Sequence, residues 1–402
     1  MKESRPHRQS AALDGVRVLD LSRFIAGPLC AQILGDMGAE VIKVERPGGE
    51  DARHHAPYYK GESLYTMLYN RNKHGATLDT RHPRALEILE QLIAKSDVIV
   101  ENYRPGTIEK MGLGYQRMRE IKNDIILVSM SGFGQTGPLS ERALFDAISQ
   151  ASSGLMSITG DPGGEPTLTG TYIADYVTGY NGALGALAAL YHRRLTGKGQ
   201  HVDVASFDTM FSALGTRLIA HTMLDLDMPR SGSRDLLTGP ANVFPSTDGS
   251  VYIQAGTNSL FPKLCRAIHR EDLLENPDLL SVEGRMENLD LLEGAIRQWS
   301  RERSASEIGV RLDEAGIPYA KVSSIREVAA SPQIQARDMV LDVDHPTLGT
   351  LKLPGNPIKM SETPTAVRKA PPTVGEDNEF VYSDLLGMTK AEVRQLREEK
   401  VI

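Results

Sequence analysis

Val16-Arg-Val-Leu-Asp-Leu21, then Pro28-Leu-Cys-Ala-Gln-Ile-Leu-Gly-Asp-Met37, then Glu40-Val-Ile-Lys-Val-Glu45 read as a strand, a helix closed by Gly38, and a second strand. After a long loop, residues 46–83, the same alternation resumes: a helix over Arg84 to Lys95, a strand over Asp97 to Glu101, and another over Asp124 to Met130. Buried-type strands separated by crossover helices predict an α/β fold, a Rossmann-like large domain whose parallel sheet is covered on both faces.

Working outward, Ala183 to Arg194 is helical, and Gly182, Gly185, Ala186 and Ala189 put small side chains on one face where another backbone can come close. Gly199 to Ala205 supplies one more strand, which runs into a helix containing Met210. Past Asp225 the pattern is interrupted by Pro229, Gly232, Gly239, Pro240 and Pro245, and short strands such as Val251 to Ala255 alternate with charged helices. Three regions result: a large domain over residues 11–210, a smaller α+β domain over 225–330, and residues 331–402. The last holds a Pro-rich linker over Ser331 to Lys369, then helices over Glu376 to Leu386 and Lys390 to Lys400 returning to the large domain.

The 402-residue chain is long enough for two domains, and 40% hydrophobic with 24% charged residues describes an ordinary folded protein. A net charge of -7 argues against nucleic acid or an anionic membrane surface as partner, so any anionic ligand must be held by local cations. Cys30 and Cys265 are too few for a disulfide framework or a zinc site, and two reduced thiols in a cytoplasmic protein are expected. Met1 to Ser10 is polar and basic without an apolar segment, which predicts a loose tail and no secretory signal. The richest apolar run, Gly182 to Leu190, is too short for a membrane span.

Gly132-Phe-Gly-Gln-Thr-Gly137 fits a dinucleotide-binding pattern, but it follows a late strand, and Pro138 stands where the phosphate-binding helix would begin; no NAD is expected. Lys43, Arg46, Arg71, Lys73, Arg104 and Lys110 recur at the ends of predicted strands or in the loops leaving them. There they either converge on phosphates or remain solvated surface charges. Asp175 lies in Gly170-Thr-Tyr-Ile-Ala-Asp-Tyr-Val-Thr-Gly179, ahead of the small-residue helix. Partial burial raises the pKa of a carboxyl there and a helix N-terminus lowers it; by position alone it reads as a helix cap before it reads as a reactive group. His201 and Asp203 share a strand face without an accompanying nucleophile, and neither His54-His55 nor Cys265 with His269 has metal-ligand spacing, so no metal is expected.

Val18-Leu-Asp-Leu-Ser-Arg-Phe-Ile-Ala-Gly-Pro28, Gly35-Asp-Met-Gly-Ala-Glu-Val-Ile-Lys-Val-Glu-Arg-Pro47, Asn70-Arg-Asn-Lys73 and Val100-Glu-Asn-Tyr-Arg-Pro-Gly106 follow one another along the first part of the chain. With Ser131-Gly-Phe-Gly-Gln-Thr-Gly-Pro138 and Thr196-Gly-Lys-Gly-Gln-His-Val-Asp-Val204, this resembles the class III, formyl-CoA-transferase-like (CaiB/BaiF) CoA-transferases. Beyond residue 210 the likeness thins to Phe244-Pro-Ser-Thr-Asp-Gly249, Gly316-Ile-Pro318 and the Pro354 region.

The resemblance implies an interlocked homodimer with active sites between the large domain of one subunit and the small domain of the other. It implies CoA contacts at Ile25, Arg46, Leu78, Asn102, Tyr103 and Lys110, gives the basic cluster with Arg71, Lys73 and Arg104 a ligand in the CoA phosphates, and matches Asp175 to the family's nucleophile. Such an aspartate carries first an acyl group as a mixed anhydride and then CoA as a thioester. The substrates are then an acyl-CoA and a small carboxylic acid.

Two departures stand out. The glycine run that covers the aspartate in formyl-CoA transferase is missing, Gly232 and Gly239 being the nearest candidates, and Ala143-Leu-Phe145 replaces a CoA-contacting Lys-x-Tyr. The alternatives are an α-methylacyl-CoA racemase or a non-catalytic CoA-binding protein. A racemase needs a second acid/base group, and Leu144-Phe-Asp146 stands where racemases carry a Gly-His-Asp histidine. The resemblance implies a small dicarboxylate such as succinate, malate, itaconate or glutarate without choosing among them, and Arg23 or Arg234 are candidates for holding a distal carboxylate.

Overall fold

Strand β1 (Arg17–Asp20) is the middle of the sheet, and the hydrophobic residues of both its parities are buried because each face is covered. It pairs in parallel with β2 (Glu40–Glu45) on one side and with β4 (Val98–Glu101) on the other. Beyond β2 lies β3 (Lys73–Thr77); beyond β4 lie β5 (Ile126–Ser131) and β6 (His201–Ala205), giving a six-stranded parallel sheet in the order β3-β2-β1-β4-β5-β6. The strand order reverses between β1 and β4, so the loops leaving those two strands diverge and open a crevice at their carboxyl ends. The computed structural model describes residues 11–402; the tail expected at Met1 to Ser10 lies outside the described residues.

Each face of the sheet has its own core. Val18, Val41, Val98, Val100 and Val128 pack under helix α1 (Ala26–Asp36) and under α4 (Ile173–Thr196), which contributes Ala183, Ala186 and Ala189. Helices α2 (Ala85–Ala94) and α3 (Asp146–Ser152) lie between them in the chain. Leu19, Leu21, Ile42, Val44, Ile99 and Leu127 face the other way, onto α2 and onto Val381, Tyr382, Leu396 and Val401 from the chain's end. The small-residue face of α4 is used as its composition predicts: a Cβ on Gly179 would lie 2.8 Å from the Ala26 carbonyl oxygen and one on Gly182 2.6 Å from the Met130 sulfur. Helix α5 (Ser206–Ser212) follows β6 directly.

The helix expected from Ala183 starts ten residues earlier, at Ile173, because aromatic residues on the first turns hid its periodicity. Strand β3 lies inside the long loop: Lys-His-Gly-Ala-Thr lacks an apolar run and takes its place as an edge strand through pairing with β2. The stretch expected to be a bare linker contains a hairpin of β10 (Val340–His345) and β11 (Gly349–Pro354). It is tied down by Asn356 Nδ2 donating to Asp36 (3.0 Å) and Asn72 N–H donating to the Lys369 carbonyl (3.0 Å). The two terminal helices are a π-helix at Phe380–Leu385 and α9 (Lys390–Glu398).

The described residues divide into two compact units: 11–155 with 168–218 and 335–402, and 156–167 with 219–334. Residues 156–167 therefore leave the first unit within the span 11–210 assigned to the large domain, and Gly160-Asp-Pro-Gly-Gly-Glu-Pro166 marks the break in the sequence. In the second unit Arg230 donates to the Ser157 and Gly164 carbonyls, which fastens that segment. An antiparallel sheet of β7 (Ala241–Ser246), β8 (Gly249–Gln254) and β9 (Tyr319–Lys321) packs Phe244, Val251 and Ile253 against α6 (Phe261–Ala267), α7 (Leu289–Ser300) and α8 (Ala305–Ala315). Among the described residues no helix is long and apolar enough to cross a membrane, and Cys30 and Cys265 are free and buried.

Candidate active site

Helix α4 begins without a cap of its own: Tyr172, at its N-cap, makes no capping hydrogen bond. Asp146 supplies the cap from a distance, its Oδ1 accepting the N–H groups of Ala174 (2.8 Å) and Asp175 (3.2 Å). Gln150 fixes the cap in turn, donating to Asp146 Oδ2 (2.6 Å) while its carbonyl oxygen accepts from Thr169 N–H (3.0 Å). The capping role that position alone allowed for Asp175 thus belongs to Asp146. No hydrogen bond to the Asp175 carboxylate occurs among the described residues, and it looks into a cavity of about 280 Å³ lined also by Phe24, Ile25, Met130, Phe145, Thr178 and Ser206. Burial, and secondarily the Asp146 charge, push its pKa from 3.8 up to about 7.

The turn leaving β1 forms the opposite wall. Lys43 Nζ donates to the Ser22 carbonyl, Asn102 grips the Arg23 backbone by both amide atoms (2.8 and 2.7 Å), and Glu50 accepts the Phe24 N–H (3.0 Å). These contacts hold Phe24 at φ +65, a conformation a bulky residue adopts only under constraint. They set its ring edge-on to Phe145 (6.2 Å) and stacked with His55 (5.9 Å).

A second cavity, of about 560 Å³, adjoins the first through Arg23 and Tyr103, which line both. Arg23 lies over the Tyr103 ring at 5.4 Å and pairs with Asp51 at 3.6 Å. Of the expected site residues, Ile25, Asn102, Tyr103, Arg104 and Asp175 line the smaller cavity, and Arg46 and Leu78 join Tyr103 in the larger. Lys110 is exposed at the end of a four-residue helix and lines neither.

Lys43, Arg71 and Lys73 are not phosphate ligands waiting at the strand ends; each is buried in an internal pair. Lys73 Nζ donates to Asp20 (2.8 Å), the Pro28 carbonyl (2.9 Å) and Asn70 (3.2 Å). Lys43 lies 3.4 Å from Glu50, and Arg71 binds Asp36 at 2.7 Å and the Pro354 carbonyl. The fold buries the carboxylates of Asp20 on β1, Asp36 at the end of α1 and Glu50 in the loop after β2, and these cations neutralise them. Arg234, a candidate for a distal carboxylate, is likewise engaged by Glu293 (2.8 Å) and Asp290 (2.9 Å).

Residues 132–145, the glycine-patterned segment, form turns, and the next helix starts only at Asp146. His201 meets the Ser129 hydroxyl (2.9 Å), and Asp203 accepts the Gln135 N–H (2.9 Å), so neither addresses the cavity of Asp175. Among the described residues no cluster of His, Cys, Asp or Glu is arranged to hold a metal ion. Asp146, Phe24 and Glu50 escaped the sequence reading because their partners lie 28, 121 and 26 positions away.

The model of CoA-transferase family III matches residues 13–378. The chain belongs to CoA-transferase family III. Relatives span its whole length: the succinyl-CoA–D-citramalate CoA-transferase of Chloroflexus aurantiacus is 35% identical over 408 residues, covering 100% of both chains. The human succinyl-CoA:glutarate CoA-transferase is 34% identical over 376 residues, 93% of this chain and 86% of that one. Among solved structures, a CaiB/BaiF family protein from Brucella suis superposes with a TM-score of 0.85 at 31% identity, covering 94% of this chain and all of that one. As a family III member the chain is a CoA-transferase, an enzyme whose substrates are CoA thioesters, and its mixed α/β architecture is that of its CaiB/BaiF neighbours.

Proposed function

We propose that this enzyme moves CoA from an acyl-CoA donor to a small carboxylic acid, a dicarboxylic one, with Asp175 as covalent carrier. The observation that carries the proposal is the uncapped, cavity-facing carboxylate of Asp175 beside a larger cavity bearing Arg46, Leu78 and Tyr103.

An Asp175 oxygen attacks the thioester carbonyl; the C–S bond breaks, CoA leaves as thiolate, and a mixed anhydride remains. The thiolate attacks the aspartyl carbonyl of that anhydride, releasing the donor acid as carboxylate and leaving an aspartyl-CoA thioester. The acceptor carboxylate then expels the thiolate to form a second anhydride, and attack of the thiolate on the acceptor carbonyl yields the new acyl-CoA and free Asp175. Every nucleophile is an anion and every leaving group an anion, so no net proton moves and no second acid/base group is required. Water must be kept from the anhydride, and Phe24, Ile25, Met130 and Phe145 place apolar groups beside it.

Phe145, 65% exposed, lines the cavity at the position where a racemase carries its histidine, and a phenyl ring transfers no proton. Of the two arginines considered for a distal carboxylate, Arg23 borders the cavity of Asp175, and the citramalate and glutarate of the named relatives are dicarboxylates. Incubation with a panel of acyl-CoA donors and acids, read by mass, tests the function. Exchange that requires a free acid supports it; loss of stereochemical purity in an α-methylacyl-CoA without any exchange would mean a racemase instead. Hydroxylamine trapping of the acyl-CoA-treated enzyme tests the carrier, since modification at any carboxylate other than Asp175 removes it from that role.

The homodimer belongs to the same proposal. Tyr180, Leu184, Tyr191 and Leu195 on α4 are 48%, 64%, 66% and 67% exposed, and their four- and seven-residue spacing makes one apolar ridge. A second copy of the chain, interlocked in the family manner, is the proposed cover for that ridge.

A further inference from the structure

The end of the chain is hooked into the fold. Val401 is fully buried; its N–H donates to the Leu396 carbonyl (2.8 Å) and its carbonyl accepts the Asp79 N–H (2.7 Å). Lys400, between α9 and this hook, takes a left-handed conformation at φ +58, with its N–H donating to the Arg397 carbonyl (3.0 Å). The hydrogen bond between Asp79 and Val401 brings the 79–81 loop alongside, and Lys400 and Arg81 both line the 560 Å³ cavity.

Charge accounting singles out these two groups. The carboxylates around that cavity already have partners: Glu45 with Arg53 (2.7 Å), Glu50 with Lys43 (3.4 Å), and Asp51 with Arg46 (2.5 Å) and Arg23 (3.6 Å). Asp79 turns back on its own loop to accept the Arg81 backbone N–H (3.1 Å). The Arg81 guanidinium and the Lys400 ammonium have no ion-pair partner among the described residues. Two unpaired cations on one wall of a cavity suit a phosphate monoester, which carries close to two negative charges at neutral pH.

Their position says which phosphate. Arg23 and Tyr103 line both cavities, so a pantetheine arm reaching Asp175 passes them; Arg81 and Lys400 line only the larger one. We infer that Lys400, presented by the C-terminal hook beside Arg81, binds the 3′-phosphate at the nucleotide end of CoA. The inference rests on the reading of the larger cavity as the CoA site, and it makes Lys400 part of substrate recognition.

The test is equilibrium binding of CoA and of 3′-dephospho-CoA to the enzyme, its Lys400→Asn variant and its Lys400→Arg variant. Asn tolerates φ > 0, so the hook is preserved. Wild type is expected to bind CoA about tenfold or more tighter than dephospho-CoA. Lys400→Asn should lose most of that preference by weakening CoA alone, and Lys400→Arg should keep it. An unchanged preference in Lys400→Asn overturns the inference, as does an equal loss for both ligands, which would place Lys400 on the diphosphate. Wild type that binds both ligands equally also overturns it and leaves the CoA site standing; wild type that binds neither removes the CoA site itself.

Discussion

A carboxylate at the start of a helix can satisfy the free N–H groups or keep its lone pairs for chemistry, and here two aspartates divide the choice. Asp146 caps and Asp175 is left buried with no hydrogen-bond donor on its carboxylate among the described residues, and burial, with the Asp146 charge second, raises its pKa to about 7. Asp175 must be ionised to attack, so kcat/KM for acyl-CoA is expected to fall as the pH drops below about 7. Asp146→Asn keeps an oxygen for the two N–H groups but removes the charge, and the acid limb of that profile should move to lower pH while staying above the ordinary carboxylate range, since burial is the larger cause. An unmoved limb in this variant would show that the Asp146 charge is not felt. Asp175→Asn should lower exchange by more than about a thousandfold and leave CoA binding in place. Stability follows the opposite sign to activity. A folded pKa above the ordinary 3.8 means that ionising Asp175 costs stability, a loss that accumulates between about pH 4 and 7. Thermal melts of Asp175→Asn should therefore lie above wild type at pH 8 and converge with it near pH 4.

At the scale of elements, the site depends on α4 lying close enough to α1 and β5 to aim its first turn at the crevice. Gly179 is one turn from Asp175, and its would-be Cβ meets backbone, the Ala26 carbonyl, which cannot swing aside. Gly179→Ala should cost about 1–3 kcal/mol in denaturant unfolding and lower activity as the carboxylate shifts. Gly294 is the control: it is exposed on α7 with nothing within 4 Å of a would-be Cβ, and Gly294→Ala should stabilise by about 0.5–1 kcal/mol without touching activity. If Gly179→Ala unfolds at the wild-type midpoint, the close approach of α4 to α1 is not what holds the site.

For the whole molecule, the decisive quantity is the apolar ridge of α4. Light scattering on the purified enzyme is expected to give the mass of a dimer, and the double variant Leu184→Glu with Tyr191→Glu is expected to lower it toward the monomer by placing charge where the ridge should be covered. A wild-type monomer at micromolar concentration would remove the interlocked assembly from the proposal. That outcome would leave Asp175 and its cavity untouched, since all the residues that line it come from one unit of one chain.

By itself the sequence determined what rests on local periodicity: β1, α1, β2, α2, β4, β5 and β6, and with them a covered parallel sheet, because apolar residues at strand and helix spacing leave little choice of conformation. The motifs determined the family, and Asp175 was visible as a candidate. Only the tertiary structure decided what each charge does. Lys43, Arg71 and Lys73 looked like ligands for phosphate and are buried counter-ions; β3 looked like loop and is an edge strand; Asp175 looked by position more like a cap until Asp146, 29 residues away, took the two N–H groups. Charge and hydrogen-bond partners are set by groups distant in sequence, and the free energy of burying a charge depends on which of them the fold brings within reach.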